Sequence, residues 1–336
     1  MISLYRNQIV GADDPALVWY FTDGSTGLLA DPDSMDYRIV VLNDPLEQVL
    51  PEVEMWQELD IDANKLSIGR YVLPWSVPSD ADIDYAYRVY VRWVMGGVTK
   101  TAWQDIGVND MDYGLSNECC CLMCDLTLSG IDLSSIRNKM RAASLIQRMS
   151  QYIRNITDRS FHPEYKTIKL DSISNDTLML REPIIGIESM VLPELLDFEV
   201  DAGSMAIYSR HLTDNLKDPD DRDVPMIYME NGIRGGSQNI ELTGVFGYTD
   251  PDGTCFGKVP DLIRDACVQL VWRDMPGLMD QSEQNDRRRE GFITSEKTST
   301  QSYTMDSSVV PSGVTGIGDV DTILSMYCAP FSVSVA

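Results

Sequence analysis

The sequence predicts an α+β protein: an N-terminal β-sandwich (immunoglobulin- or fibronectin-like) over residues 1–112, then a helical domain carrying a small β-subdomain and an extended C-terminal tail. Three observations point there. Short runs rich in β-branched and aromatic residues, separated by turn dipeptides, fill the first third of the chain. A long apolar stripe with intervals of three and four begins near residue 134. Strand-like runs then return, ahead of a second helix opened by proline.

In the first part the strand candidates lie at 17–21, 37–42, 65–68 and 85–94. The last alternates strictly, placing Tyr85, Tyr87, Val89, Val91 and Trp93 on one face. Asp23-Gly24, Asp31-Pro32, Asn43-Asp44-Pro45, Ser67-Ile68-Gly69 and Gly96-Gly97 supply the turns. Residues 113–133, with Gly114, Ser116, Gly130 and a cysteine cluster, form a Cys-containing linker.

The core of the second part spans 134–290. Its long helix starts at Ser134 or Ser135, either of which can cap it. Ile136, Met140, Ala143, Ile146, Met149, Ile153 and Ile156 form the apolar stripe, and Arg137, Lys139, Arg141, Arg148 and Arg154 the opposite surface. Strand candidates follow at 167–170, 177–180, 184–192, 206–208, 226–229 and 239–248, with the acidic stretch 214–223 as an exposed loop. The second helix opens at Val259-Pro260, with Pro suited to its first position. It turns Ile263, Cys267, Leu270 and Val271 inward and stops before Pro276-Gly277. Residues 291–336 read as the tail, Ser/Thr-rich at first, with a short docking helix at 320–327.

Composition narrows the function. The 336 residues are 43% hydrophobic and 24% charged, enough for about two domains with real cores, which excludes disorder as the main state. No apolar run approaches the roughly 18–20 residues of a membrane helix. The start, Met-Ile-Ser-Leu-Tyr-Arg, lacks the basic-then-apolar pattern of a secretory leader, so neither membrane nor secretion is expected. A net charge of −25 argues against affinity-driven binding to nucleic acid. It suits a soluble acidic surface, or a wall that DNA passes without adhering. The basic helix face and Arg287-Arg288-Arg289 stand out against that background, and an acidic protein neighbour fits them better than a DNA backbone does.

No motif for chemistry is complete. The seven cysteines are odd in number, with four inside Cys119-Cys120-Cys121-Leu122-Met123-Cys124, which is not a disulfide framework. No second Cys or His pair follows at zinc-ribbon spacing, so small buried strand side chains are the expectation for these four. His162 and His211 lack a Gly-x-Ser-x-Gly partner, and His162 before Pro163 reads as a polar loop residue. Gly253 to Lys258 is one residue short of a phosphate loop, and the acidic loop 218–223 lacks the Gly and distal Glu of an EF-hand. No catalytic residue, metal or cofactor is assigned. Trp19, Trp56, Trp75 and Trp103 could act as sugar platforms, although aromatic residues in such strands usually serve the core.

From residue 134 to about 330 the chain resembles the head–tail connector (adaptor) proteins of tailed bacteriophages. The likeness rests on the order of Ile156-Thr157-Asp158-Arg159-Ser160-Phe161, Thr177-Leu178-Met179-Leu180, Glu182-Pro183-Ile184-Ile185-Gly186-Ile187, Thr243-Gly244-Val245-Phe246-Gly247-Tyr248 and Val259-Pro260 leading to Ile263, Ala266 and Leu270. In that family a long helix ends in a Thr-Gly-Arg-like turn followed by Phe. This chain departs by carrying a basic first helix and an added N-terminal β-domain. The resemblance implies a non-enzymatic virion protein of the neck, assembled in the host cytoplasm. It would form a homo-oligomeric ring, commonly of twelve, between the portal protein and a stopper or tail terminator, with DNA only as passing cargo. A head decoration or baseplate protein with a binding β-domain is the alternative.

Overall fold

The computed structural model describes residues 2–24, 26–42, 56–172, 177–192, 198–199, 205–208, 225–229, 235–275, 295–297, 302–304 and 315–329. They form an α+β protein with several sheets. The first part contains β1 (Ile2–Tyr5), β2 (Ile9–Val10), β3 (Val18–Tyr20), β4 (Ser34–Val41), β5 (Gln57–Glu58), the one-turn helix α1 (Ile61–Asn64), β6 (Lys65–Ser67), β7 (Arg70–Val72), β8 (Trp75–Ser76), β9 (Tyr87–Met95) and β10 (Val98–Asn109). One sheet runs β1-β10-β9-β4-β5, a second β3-β7-β6, and β2 pairs with β8. β9 and β10 form a hairpin across Gly96-Gly97, and both glycines hold the positive φ that so tight a connection needs (58° and 76°).

The alternation in β9 does what its pattern implies. Tyr87, Val89, Val91 and Trp93 are buried, whereas Tyr85 lies before the strand and is exposed. Phe21 sits edge-on to Trp93 at 5.4 Å and to Tyr71 at 5.8 Å, so residues beside β3, in β7 and in β9 share one aromatic core. That core does not stop at residue 112. Phe256 enters it edge-on to Trp19 at 5.0 Å and Tyr20 at 5.4 Å, with Ile185 and Val245 beside it. Backbone bonds tie the parts as well: Leu29 N–H donates to the Ile187 carbonyl at 2.7 Å, and Ile187 N–H to that of Gly27 at 3.2 Å.

The remaining elements are α2 (Met123–Leu128), α3 (Ile136–Thr157), β11 (Glu164–Ser172), β12 (Thr177–Met179), β13 (Ile184–Leu192), β14 (Phe198–Glu199), β15 (Met205–Tyr208), β16 (Met226–Met229), β17 (Gly236–Phe246), α4 (Asp261–Asp274), β18 (Ser295–Lys297), β19 (Ser302–Thr304) and, last in the chain, α5 (Gly318–Tyr327). Two sheets, β11-β17-β13-β14 and β12-β16-β15, share a core of Ile184, Ile187, Ile227, Ile240 and Leu242. The helices pack around Ala142, Ala143, Ile146, Met149, Ile153, Ala266, Cys267, Leu270, Val320 and Leu324.

Three of the expectations for these elements change. Ile136 and Met140 are 60% and 59% exposed, because α3 outruns its partner: its Arg148 already meets Asp274, the last residue of α4. Pro260 takes the cap position of α4, one residue ahead of the first helical turn. The four clustered cysteines are buried, but in the turn before α2 and in α2 itself rather than in a strand. The short docking helix expected at 320–327 is present as α5, which packs onto α3 and α4, and Arg273 donates to the Thr315 carbonyl just before it. β18 and β19 pair antiparallel.

Candidate interaction surface on the long helix

α3 is a well-made helix with one committed face. The Ser135 hydroxyl accepts from Asn138 N–H at 3.2 Å, capping its start. Its end is a left-handed Asp158 (φ 52°), a conformation that Asp tolerates better than most residues. With about 3.6 residues per turn, Ala142, Ala143, Leu145, Ile146, Met149, Ser150 and Ile153 all point into the layer.

The outward surface divides in two. Arg137, Arg141 and Arg148, at spacings of four and seven, form a cationic row, and all three are exposed. Beside it run Ile136, Met140, Ser144, Gln147 and Gln151, a strip that is apolar at its start and polar further along. Arg148 comes within only 3.5 Å of Asp274, with its side chain 65% exposed. Such a contact contributes little to stability. Among the described residues Arg137 has no ion pair.

Two of the basic residues do not share that row. Lys139 points half a turn away and binds Asp110 at 2.6 Å, and the Tyr113 hydroxyl donates to the same carboxylate at 2.7 Å. Burial opposes the Asp110 charge, but these bonds outweigh it and hold its carboxyl below the usual range. Arg154 bridges Glu118 at 3.0 Å and Glu164 at 3.2 Å, so its charge is spent inside the chain. Ser116, Glu118, Gln147, Arg148, Gln151 and Arg154 line a shallow groove of about 370 Å³ along the polar half of the strip. Arg287, Arg288 and Arg289 lie outside the described residues, as do His211 and the acidic loop 214–223.

Under the groove lies the cysteine cluster. Cys121 Sγ lies 3.5 Å from Cys267 Sγ, and the buried Ser150 hydroxyl accepts from Cys120 N–H at 2.9 Å. Burial raises the Cys120 and Cys124 thiols, Cys124 to about 12, so they stay protonated and act as small apolar side chains. Among the described residues no group of three His, Cys, Asp or Glu side chains could hold a metal ion.

His162 is buried, 7% exposed, rather than a surface loop residue. Burial, reinforced by Arg154 and Lys166, pushes it down to about 3, leaving it neutral. Its Nε2 is 3.4 Å from Ser160 Oγ, and the same hydroxyl lies 3.3 Å from the His162 carbonyl, to which it donates.

The tryptophans divide. Trp19 is buried in the core, and Trp75 packs on Tyr87 at 5.4 Å. On the outer face of the five-stranded sheet, the Arg88 guanidinium lies 3.6 Å from the Trp103 ring, while Arg38 and Arg92 lie 4.8 and 4.7 Å from the Trp56 ring. Guanidinium groups thus already occupy ring faces that a sugar would need.

Segments far apart in sequence meet at the end of α3. Tyr248 N–H donates to the Ser160 carbonyl at 2.7 Å, and Gly247 N–H to that of Pro183 at 3.0 Å. A Cβ at Gly247 would collide with the His162 carbonyl, and one at Gly244 with the Gly186 carbonyl. Phe161, Tyr248 and Tyr327 form a triangle of edge-on rings 5.7–6.2 Å apart, with Arg159 over Tyr248 at 4.4 Å. The sequence motifs contain most of these residues, and Tyr327 closes the docking helix expected at 320–327, but its contacts with Phe161 and Tyr248 depend on where α5 packs. No known protein family matches this chain, and no curated protein matches it either.

Proposed function

We propose that this chain is a structural protein of the tailed-bacteriophage neck, an adaptor that joins the portal to a stopper or tail terminator. It acts mechanically, as one subunit of a ring, commonly of twelve, that extends the DNA channel. DNA passes as cargo, and no reaction is catalysed. The observation that carries this reading is the convergence at the end of α3. Three of the motifs behind the connector resemblance, 156–161, 182–187 and 243–248, meet at this junction. Asp158, in the place of the glycine of a Thr-Gly-Arg-like turn, takes the left-handed backbone that a glycine there would serve. Gly244 and Gly247 stand where neighbouring backbones leave no room for a side chain.

The first part is, on this reading, an immunoglobulin-like β-sandwich added to the connector core. Its five- and three-stranded sheets contribute to one core, in keeping with that architecture. The exposed cationic row on α3 suits a contact with an acidic protein, since a chain of net charge −25 repels a polyanion at long range. Cross-linking mass spectrometry on purified particles tests the assignment. Links from residues 134–160 to the portal are expected. Links confined to capsid or fibre proteins would replace the adaptor with a decoration protein, and absence from particles would end the virion reading.

A further inference from the structure

α3 carries two unlike faces at its exposed start. On one side Ile136 and Met140, one helical turn apart and more than half exposed, lie next to Arg137 and Arg141. About half a turn from those arginines, but only about 60° from Ile136, Lys139 is bound to Asp110. The loops on the Lys139 side expose Asp80, Asp84 and Asp112 together with Tyr85 (39%) and Met111 (41%). A cavity of about 390 Å³ lined by Asp84, Asp110, Ser134 and Lys139 places Asp84 beside the helix start. The helix start therefore has a cationic face and an anionic flank, with the Ile136/Met140 strip between them.

We propose that the Ile136/Met140 strip with Arg137 and Arg141 docks onto the Asp80/Asp84/Asp112 ridge, with Tyr85 and Met111, of a second copy of this chain. This deepens the neck reading and rests on it only for the closure into a ring. Complementary patches at two different angles around one element make a head-to-tail contact, which repeats by rotation and can close. The apolar pair argues against nucleic acid as the occupant, because a phosphate backbone gives Ile136 and Met140 nothing to pack on. The charges argue for this chain, which presents 52 acidic residues against 27 basic ones and whose own aspartates are opposite in charge to the row and flanked by exposed Tyr85 and Met111.

The test uses the purified full chain in sedimentation velocity, with three variants: Arg137→Glu/Arg141→Glu, Asp80→Arg/Asp84→Arg, and all four changes together. The wild type is expected to self-associate, each double variant to weaken association by about tenfold or more, and the quadruple variant to recover it. All four positions are exposed, so unchanged thermal midpoints should accompany these shifts. A wild type that stays monomeric at its highest soluble concentration overturns the proposal, as does a quadruple variant no better than the doubles. A photo-crosslinking residue at position 140 identifies the occupant. Adducts to residues 80–85 or 111–113 of another copy are expected. Adducts confined to the same chain, segment 276–314 included, or to a different protein would overturn it. Portal links in particles are scored separately, so inter-copy adducts without portal links would remove the neck assignment and leave this contact standing.

Discussion

The β-rich first part is built round a cluster of very large rings, whereas the helical layer interleaves small side chains with aliphatic ones. Trp19, Phe21, Tyr71, Trp93 and Phe256 are all nearly or wholly inaccessible and meet edge to face. In the helical layer Ala142, Ala143, Ala266, Cys121, Cys267 and Ser150 alternate with Ile146, Met149, Ile153, Ile263 and Leu270. Large rings fill the gap between sheets, where each ring pair adds about 0.5–1.5 kcal/mol beyond its buried area. Buried alanines among close-packed aliphatic side chains leave little room for added volume. Removal should therefore damage the first region most, and addition the second.

Phe256→Ala is expected to have the largest effect, a loss of roughly 3–5 kcal/mol measured by denaturant unfolding. Phe256 is the ring that the second part lends to the first, so helix and tryptophan signals that unfold together in the wild type should separate in the variant. A loss below about 1 kcal/mol would mean that the shared core does not couple the two parts.

His162 probes the junction below α3. Its folded pKa lies near 3, well under the ordinary 6.5, so the unfolded chain binds the proton more readily. Stability from this group is whole above pH 6.5 and is lost as pH falls toward 3, by roughly 3 kcal/mol at pH 4. His162→Gln should remove that dependence, so its stability relative to wild type should rise between pH 7 and pH 4. A gap between the two that does not change with pH would place His162 in contact with solvent.

Ala266→Leu should cost about 1–3 kcal/mol through overpacking, although it adds apolar surface. A neutral or stabilising result would show slack between α3 and α4 and remove the contrast between the two cores.

Much of this was legible in the sequence where period and neighbour agree. β9 and β13 followed from their runs, and α3 from its cap and stripe. β10 escaped because its first half, Val98-Thr99-Lys100-Thr101, is solvent-facing and carries no alternating apolar signal. Ile136 and Met140 continue the stripe in register, but periodicity cannot say where a partner helix ends. Lys139 looked like part of the basic face because Asp110, its partner, comes from a strand end 29 residues earlier. Phe256 lay in the Gly253–Lys258 segment, weighed only as an incomplete phosphate loop, and nothing local marks a ring that inserts into another part's core. The row Arg137, Arg141 and Arg148 was visible as charge. The exposed carboxylates of Asp80, Asp84 and Asp112 near the start of the same helix were not, because they come from loops earlier in the chain.

The meeting of Arg273 with Thr315 fixes where α5 reaches the helical layer. Val320 and Leu324 bury themselves there, and Tyr327 stands edge-on to Phe161. α5 thus owes its place to these side-chain contacts rather than to its covalent link with α4.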